Sequence, residues 1–111
     1  MTATHDSRYL NVPENAILTR SGRYFYPLNA HPKDVYIGDI AHALSHLCRW
    51  TGHTEDPYSV AQHSLLVVDL VAPALPSSTI GAERDAYLRG ALLHDASEAY
   101  LNDLARPVKQ H

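Results

Sequence analysis

The sequence predicts an all-α protein with an irregular N-terminal arm. Three segments after position 38 place apolar residues three or four positions apart, which is the spacing of a helix with one buried face. Before that position, Pro13, Pro27 and Pro32 interrupt the chain too often for a long helix. We therefore expect an arm over residues 1–38 and a helical core over residues 39–111, which together are about the length of one domain.

The arm contains one candidate for regular structure. Residues 17–19 and residues 23–26 have strand-like composition, and the second of these segments alternates aromatic side chains. The dipeptide Ser21-Gly22 between them suits a tight turn. These features predict a short hairpin.

The core is predicted to contain four helices. Asp39 suits the N-cap of the first, because its side chain can accept a hydrogen bond from a free N–H group of the first turn. Pro73 and Pro76 are expected to close the second helix, since proline cannot continue one. The predicted helices cover residues 39–50, 59–71, 82–94 and 96–101, and a loop follows over residues 102–107.

Composition excludes several classes of protein. The formal net charge is −3 and the nine Lys and Arg residues are scattered, so we do not expect binding to polymeric nucleic acid. The longest apolar stretch, residues 65–75, is interrupted by Asp69 and Pro73 and is too short to span a bilayer. The single cysteine, Cys48, cannot form an internal disulfide. We therefore expect a soluble, cytoplasmic protein that does not bind membranes.

Histidine is frequent, with eight in the chain, and it is a common metal ligand. His94 and Asp95 are adjacent at a predicted helix end, where a bend in the backbone can bring neighbouring side chains together. An imidazole nitrogen and a carboxylate oxygen suit a transition metal better than calcium. The alternative is that Asp95 caps the next helix together with Glu98, three residues later.

Three other histidines are also candidates for metal ligands. His63 lies in the second predicted helix and offers a third ligand, because helical bundles build metal sites from several helices; the alternative is a structural histidine bonded to a carbonyl group. His42 and His46 have the i, i+4 spacing of a zinc pair, but the glutamate of an H-E-x-x-H site is missing between them. We interpret these two as a solvated helix face.

The chain resembles the HD-domain metal-dependent phosphohydrolases. The resemblance is carried by His63, the pair His94-Asp95, Glu98 and Asp103, taken in this order. The branch that the chain resembles most contains the 5′-deoxyribonucleotidases and the small phage dNTP triphosphohydrolases. The resemblance implies an HD-domain helical bundle of bacterial or phage type. The matching segments are residues 49–50, 58–64, 94–99 and 103–109.

The resemblance implies a metal site and its ligands. His63, His94 and Asp95 match three of the four ligands of a divalent ion, which would be Mn, Co, Zn, Fe or Mg. The fourth family ligand is an aspartate on a later helix, and Asp103 lies too close to His94 to be that residue. The chain is therefore expected to be a fragment, a truncated product or a degenerate member of the family.

The resemblance also implies catalytic and substrate-binding residues. Glu98 matches the glutamate that activates or orients the attacking water, and Asp103 matches a carboxylate that helps to position it or protonates the leaving oxygen. Arg49 matches a phosphate ligand, Trp50 a residue that packs on the sugar or base, and Lys109 a basic residue near the phosphates. Each of these residues also has a structural alternative. Glu98 could cap a helix, Asp103 could form a loop turn, and Arg49 could be a cation at a helix end. Trp50 could be a core aromatic residue and Lys109 a surface lysine.

The function implied by the resemblance is hydrolysis of phosphate from (deoxy)nucleotides by metal-activated water. The alternative is a truncated, non-catalytic HD module that binds a nucleotide or a protein partner. If the helices that normally cover this part of the fold are missing, an apolar flank is exposed, and we expect homo-oligomers.

Overall fold

The computed structural model describes residues 11–110, so the predictions for the first ten residues of the arm and for His111 lie outside the described residues. The described part is mostly helical with one two-stranded sheet, which confirms the all-α prediction. Its strands are β1 (Ile17–Leu18) and β2 (Tyr24–Phe25), and its helices are α1 (Ile37–His46), α2 (Val60–Ala74), α3 (Gly81–Leu92), α4 (Glu98–Leu101) and α5 (Arg106–Lys109).

The predicted hairpin is confirmed. Strands β1 and β2 pair in antiparallel orientation, with Ile17 opposite Phe25. Gly22 lies in the turn with a φ of 90°, a value that glycine adopts without strain. Phe25 is buried, and its ring stacks on Tyr100 of α4 with the centroids 3.9 Å apart. The arm therefore packs directly against the helices.

The prediction that Asp39 caps the first helix is wrong. Helix α1 begins after Tyr36, so Asp39 lies within its first turn. Its buried carboxylate accepts hydrogen bonds from the backbone N–H and the hydroxyl of Ser21, each 2.7 Å long. Burial alone would raise the pKa of Asp39, but the hydrogen bonds outweigh it and hold the pKa below the ordinary value of 3.8. Asp39 thus joins the hairpin to α1.

A small core lies where α1, α2 and α4 meet. Ile40 and Leu44 stand one turn apart on α1 and pack against Val60, which is fully buried at the start of α2. Ala99 and Tyr100 of α4 pack on the same cluster. Burial of the three central side chains contributes roughly 1.5–3 kcal/mol each. This core fixes the start of α2 relative to α4.

The first helix ends at His46, earlier than predicted, because the chain then becomes extended and pairs with the residues before α2. The backbone N–H of Val60 donates to the carbonyl of Leu47, and that of Arg49 donates to the carbonyl of Tyr58, both at 2.8 Å. Arg49 is therefore held beside the beginning of α2.

Helix α2 starts with a capping box that the sequence analysis did not identify. Ser59 Oγ accepts a hydrogen bond from the N–H of Gln62, and the Gln62 side chain accepts one from the N–H of Ser59. The helix continues to Ala74, past its predicted end, because Pro73 falls in the last turn. There its missing N–H removes only one helical hydrogen bond.

Two later boundaries also differ from the prediction. Helix α3 ends at Leu92, so His94 and Asp95 lie in the turn between α3 and α4. The predicted loop over residues 102–107 is shorter, because α5 begins at Arg106. Its second residue is proline, which is tolerated in a first turn.

Helices α2 and α3 leave an apolar flank in contact with solvent. Leu65 and Leu70 of α2 are 60% and 63% exposed, and Leu92 of α3 is also exposed. A groove between the two helices is lined by these leucines' neighbours Val68 and Leu88. The formation of homo-oligomers through this flank stays a prediction.

Among residues 11–110, none of the helices has the length and apolarity needed to cross a membrane.

Replacement of Asp39 by alanine tests the link between the hairpin and α1. The change leaves two donors of Ser21 without their acceptor, and we expect the free energy of unfolding to fall by about 2 kcal/mol. Urea denaturation followed by circular dichroism measures this. The matched control is Asp56→Ala, which removes an exposed loop carboxylate. An equal effect of both substitutions would contradict the role assigned to Asp39.

Candidate metal centre

Three potential ligands come from two parts of the fold. His63 lies one turn into α2, and His94 and Asp95 follow the end of α3. The turn that contains this pair is closed by a hydrogen bond from the N–H of Ala96 to the carbonyl of Leu93. Since the backbone is not helical there, two adjacent side chains can point to one place.

The ligand atoms lie close enough to share one ion. Nε2 of His63 is 3.3 Å from Nε2 of His94 and 3.4 Å from Oδ2 of Asp95, and the last two atoms are 2.9 Å apart. Two ligands about 2.1 Å from an ion, at octahedral or tetrahedral angles, lie roughly 3.0–3.4 Å from each other. The donor set therefore fits a divalent transition-metal ion, and these three residues could hold one.

The outer nitrogen of His94 has a partner that orients the ring. The Nδ1–H group of His94 donates to the carbonyl of Ala91 at 2.8 Å. The proton is then on Nδ1, and Nε2 keeps its lone pair toward Asp95 and His63. A carbonyl acceptor on the far side of an imidazole is the usual arrangement for a histidine that binds metal.

The outer nitrogen of His63 has a different partner. The guanidinium group of Arg49 donates a hydrogen bond to Nδ1 of His63 at 3.0 Å. Burial and the neighbouring cation together hold the pKa of His63 below its ordinary value of 6.5, although the Asp95 carboxylate opposes them. The neutral imidazole is therefore favoured over the imidazolium. Because Nδ1 accepts the bond from Arg49, the proton of the neutral ring lies on Nε2, and it would have to leave that atom for an ion to bind there.

Glu98 lies at the start of α4, next to the metal ligands. It is 9% exposed, and its Oε2 atom has no hydrogen-bond partner among the described residues. Burial, together with the carboxylates of Asp95 and Asp103, raises the pKa of Glu98, and Lys109, 3.5 Å away, only partly offsets this. Helix α4 begins after Ser97, and no side chain caps it, so the predicted alternative of an Asp95–Glu98 capping box is not formed.

A cavity of about 900 Å³ adjoins the centre through Arg49. The guanidinium of Arg49 also stacks on the ring of Trp50 at 4.4 Å, and Trp50 is 57% exposed on the cavity wall. Asp103 and Lys109 line the same cavity, with their charged atoms 3.9 Å apart. The substrate-binding candidates thus share one space, and Glu98 contacts Lys109 on the wall of that space.

Two of the histidines considered above lie apart from this centre, and one arginine of the cavity was not predicted from the sequence. His42 and His46 stack on each other on an exposed face of α1 and do not belong to the group of three ligands. Arg106 lines the cavity together with Lys109, yet the sequence analysis gave it no role. The sequence offered no helical signal for it, because residues 102–107 were predicted to form a loop and α5 has only four residues.

Comparison with known proteins does not give this centre a function. No protein-family profile matches the chain. The chain is 47% identical over 91 residues to an uncharacterized protein of Rhodobacter capsulatus, an alignment that covers 80% of this chain and 44% of the relative. It is 39% identical over 94 residues to the uncharacterized protein YfdR of Escherichia coli, covering 85% of this chain and 46% of that protein. The chain thus spans less than half the length of the curated relatives that it matches.

Metal binding can be measured directly. We expect calorimetric titration of the metal-free protein with Mn²⁺, Co²⁺ or Zn²⁺ to show one ion per chain. His94→Ala should weaken the affinity at least about tenfold, since it removes a ligand. The matched control is His31→Ala, which removes an exposed histidine of the arm and should leave the affinity unchanged. Equal affinities of the two variants would rule out the centre.

The proton affinity of His63 provides a second test. In the metal-free protein, a nuclear magnetic resonance titration should give His63 a pKa below 6.5, because burial and Arg49 both disfavour the imidazolium. Arg49→Gln removes the neighbouring positive charge and should move this pKa upward. Arg89→Gln, an equal change on the exposed surface of α3, is the control. A pKa that Arg49→Gln does not raise would show that the Arg49–His63 contact is absent in solution.

Proposed function

We propose that the chain is the metal-binding part of an HD-domain phosphohydrolase that removes phosphate from (deoxy)nucleotides. The observation that carries this proposal is the convergence of three ligand atoms beside a buried glutamate and a cavity lined by cations. The resemblance described above points to the same chemistry.

The three ligands leave part of the coordination sphere of an ion free. In this proposal His63, His94 and Asp95 hold the ion, and three protein ligands with open positions are typical of catalytic rather than structural sites. When bound, a divalent ion lowers the pKa of a coordinated water and neutralises charge on a phosphoryl oxygen.

Glu98 suits the role of general base. Its raised pKa brings the carboxylate nearer to the pH at which the enzyme works, where a base can both accept and release a proton. Among the described residues its buried Oε2 atom has no partner, and in this proposal the attacking water supplies the missing hydrogen bond once substrate and ion are bound. The water oxygen forms the new bond to phosphorus, the proton passes to Glu98, and the phosphorus–oxygen bond to the leaving group breaks.

The cavity residues complete the reaction. Arg49 and Lys109 bind the phosphoryl oxygens, for which a guanidinium group offers a two-pronged donor. Asp103 lines the cavity and protonates the leaving oxygen or helps to position the water. Trp50 presents an exposed ring on which a sugar or base packs. The positive charges oppose the build-up of negative charge on the phosphoryl group in the transition state.

Phosphate release from nucleotides tests the activity. With Mn²⁺ or Co²⁺, we expect the protein to release phosphate from deoxynucleotides. His94→Ala should reduce the rate at least about a hundredfold through loss of the ion. Glu98→Gln should cut kcat by about 10²–10⁴-fold with the metal affinity unchanged, because it removes the base and keeps the ligands. A colorimetric phosphate assay and metal titration of the same samples provide both readouts.

The controls separate catalysis from contamination and from mere binding. His31→Ala should retain the full rate of phosphate release. If the preparations of the protein and of His94→Ala release phosphate equally, the proposal is wrong. If nucleotides bind and none is hydrolysed under any metal, the non-catalytic binding module is the correct interpretation.

A further inference from the structure

The cavity beside the metal centre carries a positive charge that contrasts with the rest of the chain. Its charged lining residues are Arg49, Arg106, Lys109 and Asp103, three cations against one carboxylate. The whole chain has a formal net charge of −3. Cations concentrated in one concave site of an otherwise acidic protein attract anionic ligands to that site.

The three cations differ in how far protein groups already neutralise them. Lys109 faces the carboxylates of Glu98 and Asp103, at 3.5 and 3.9 Å. Arg49 is hydrogen-bonded to His63 and stacked on Trp50. Within residues 11–110, the guanidinium of Arg106 has neither an ion pair nor a hydrogen bond, and it still lines the cavity. Among the described residues, Arg106 is therefore the lining cation with the fewest protein partners.

Arg106 also lies where a ligand could contact it together with Lys109. The two residues are three positions apart on α5, so their side chains lie on the same face. Arg49 stands on another wall of the cavity, next to the metal ligand His63. The cationic groups thus come from two walls of one cavity, one wall beside the metal ligands and the other formed by α5.

We propose that Arg106 forms a second phosphate-binding position, so that the substrate is a nucleoside di- or triphosphate rather than a monophosphate. This inference rests on the proposed function for the reacting phosphate. In the proposed function Arg49 and Lys109 bind the reacting phosphoryl group beside the metal ligands, and Arg106 would neutralise the further phosphates. The volume of about 900 Å³ lies within the range of sites for ligands of nucleotide size.

Binding of inorganic phosphates tests this position without dependence on turnover. We expect calorimetry with the metal-free protein, at constant ionic strength, to show sodium tripolyphosphate bound at least about tenfold more tightly than orthophosphate. Arg106→Gln should weaken tripolyphosphate binding about tenfold and orthophosphate binding less than twofold, because it removes a charge-assisted contact only to the additional phosphates. Arg89→Gln has the same charge change at an exposed arginine of α3 that does not line this cavity, and it should alter neither affinity.

Several results would overturn the inference. Equal affinities for orthophosphate and tripolyphosphate would overturn it. Equal weakening of tripolyphosphate binding by Arg89→Gln and Arg106→Gln would also overturn it, because this result would indicate general attraction of phosphate to the positive charge of the protein surface.

A phosphate-release assay with deoxynucleoside mono- and triphosphates separates this inference from the proposed function. Hydrolysis of monophosphates alone would contradict the role of Arg106 and leave the phosphohydrolase proposal standing. Graded binding of the inorganic phosphates, without release of phosphate from any nucleotide, would support the cationic position and contradict the phosphohydrolase proposal.

Discussion

Three electron-rich atoms within 3.4 Å of one another impose the main constraint on this structure. Two imidazole nitrogens and a carboxylate oxygen repel each other unless a cation or a proton lies between them. None of these side chains is fully exposed to water, which would otherwise screen the repulsion: His63 has 18% of its side chain exposed and Asp95 has 26%. The fold holds the atoms together through the core between α1, α2 and α4, and the arrangement is favourable once a positive charge occupies the centre.

The hydrogen bonds behind the two imidazoles give them different properties. His94 donates to a carbonyl group, so its Nε2 lone pair already faces the centre. His63 accepts a bond from Arg49, which leaves the proton of a neutral ring on Nε2, the atom that faces Asp95. An ion bound at Nε2 would require that proton to leave or to move to Nδ1, where it would displace the guanidinium of Arg49.

Sequence reasoning found features that local geometry determines and missed those that depend on distant pairing. The adjacency of His94 and Asp95 at a helix end was sufficient to predict that they converge, and alternating residues around Ser21-Gly22 were sufficient for the hairpin. The bond between Ser21 and Asp39 spans 18 positions, so Asp39 looked like an ordinary helix cap. Arg106 begins a helix of four residues, which is too short to show a periodic pattern. Imidazole and carboxylate ligands suit several divalent ions, so the sequence does not identify which ion these residues could hold.

The turn after α1 is where the structure departs most from the helix that the periodicity favours, and the departure has a physical cost. Trp50 and Thr51 have φ values of 52° and 55°, in the left-handed region, which costs roughly 1–2 kcal/mol for each residue other than glycine. The backbone bond from Arg49 to Tyr58 and the pairing of Cys48 with Ser59 offset part of this cost. A regular helix through residue 50 would avoid the strain, but it would break the bond that holds Arg49 beside His63. Strained backbone of this kind persists mainly where a side chain must be placed for function, and here it places Arg49 and Trp50 on the cavity wall.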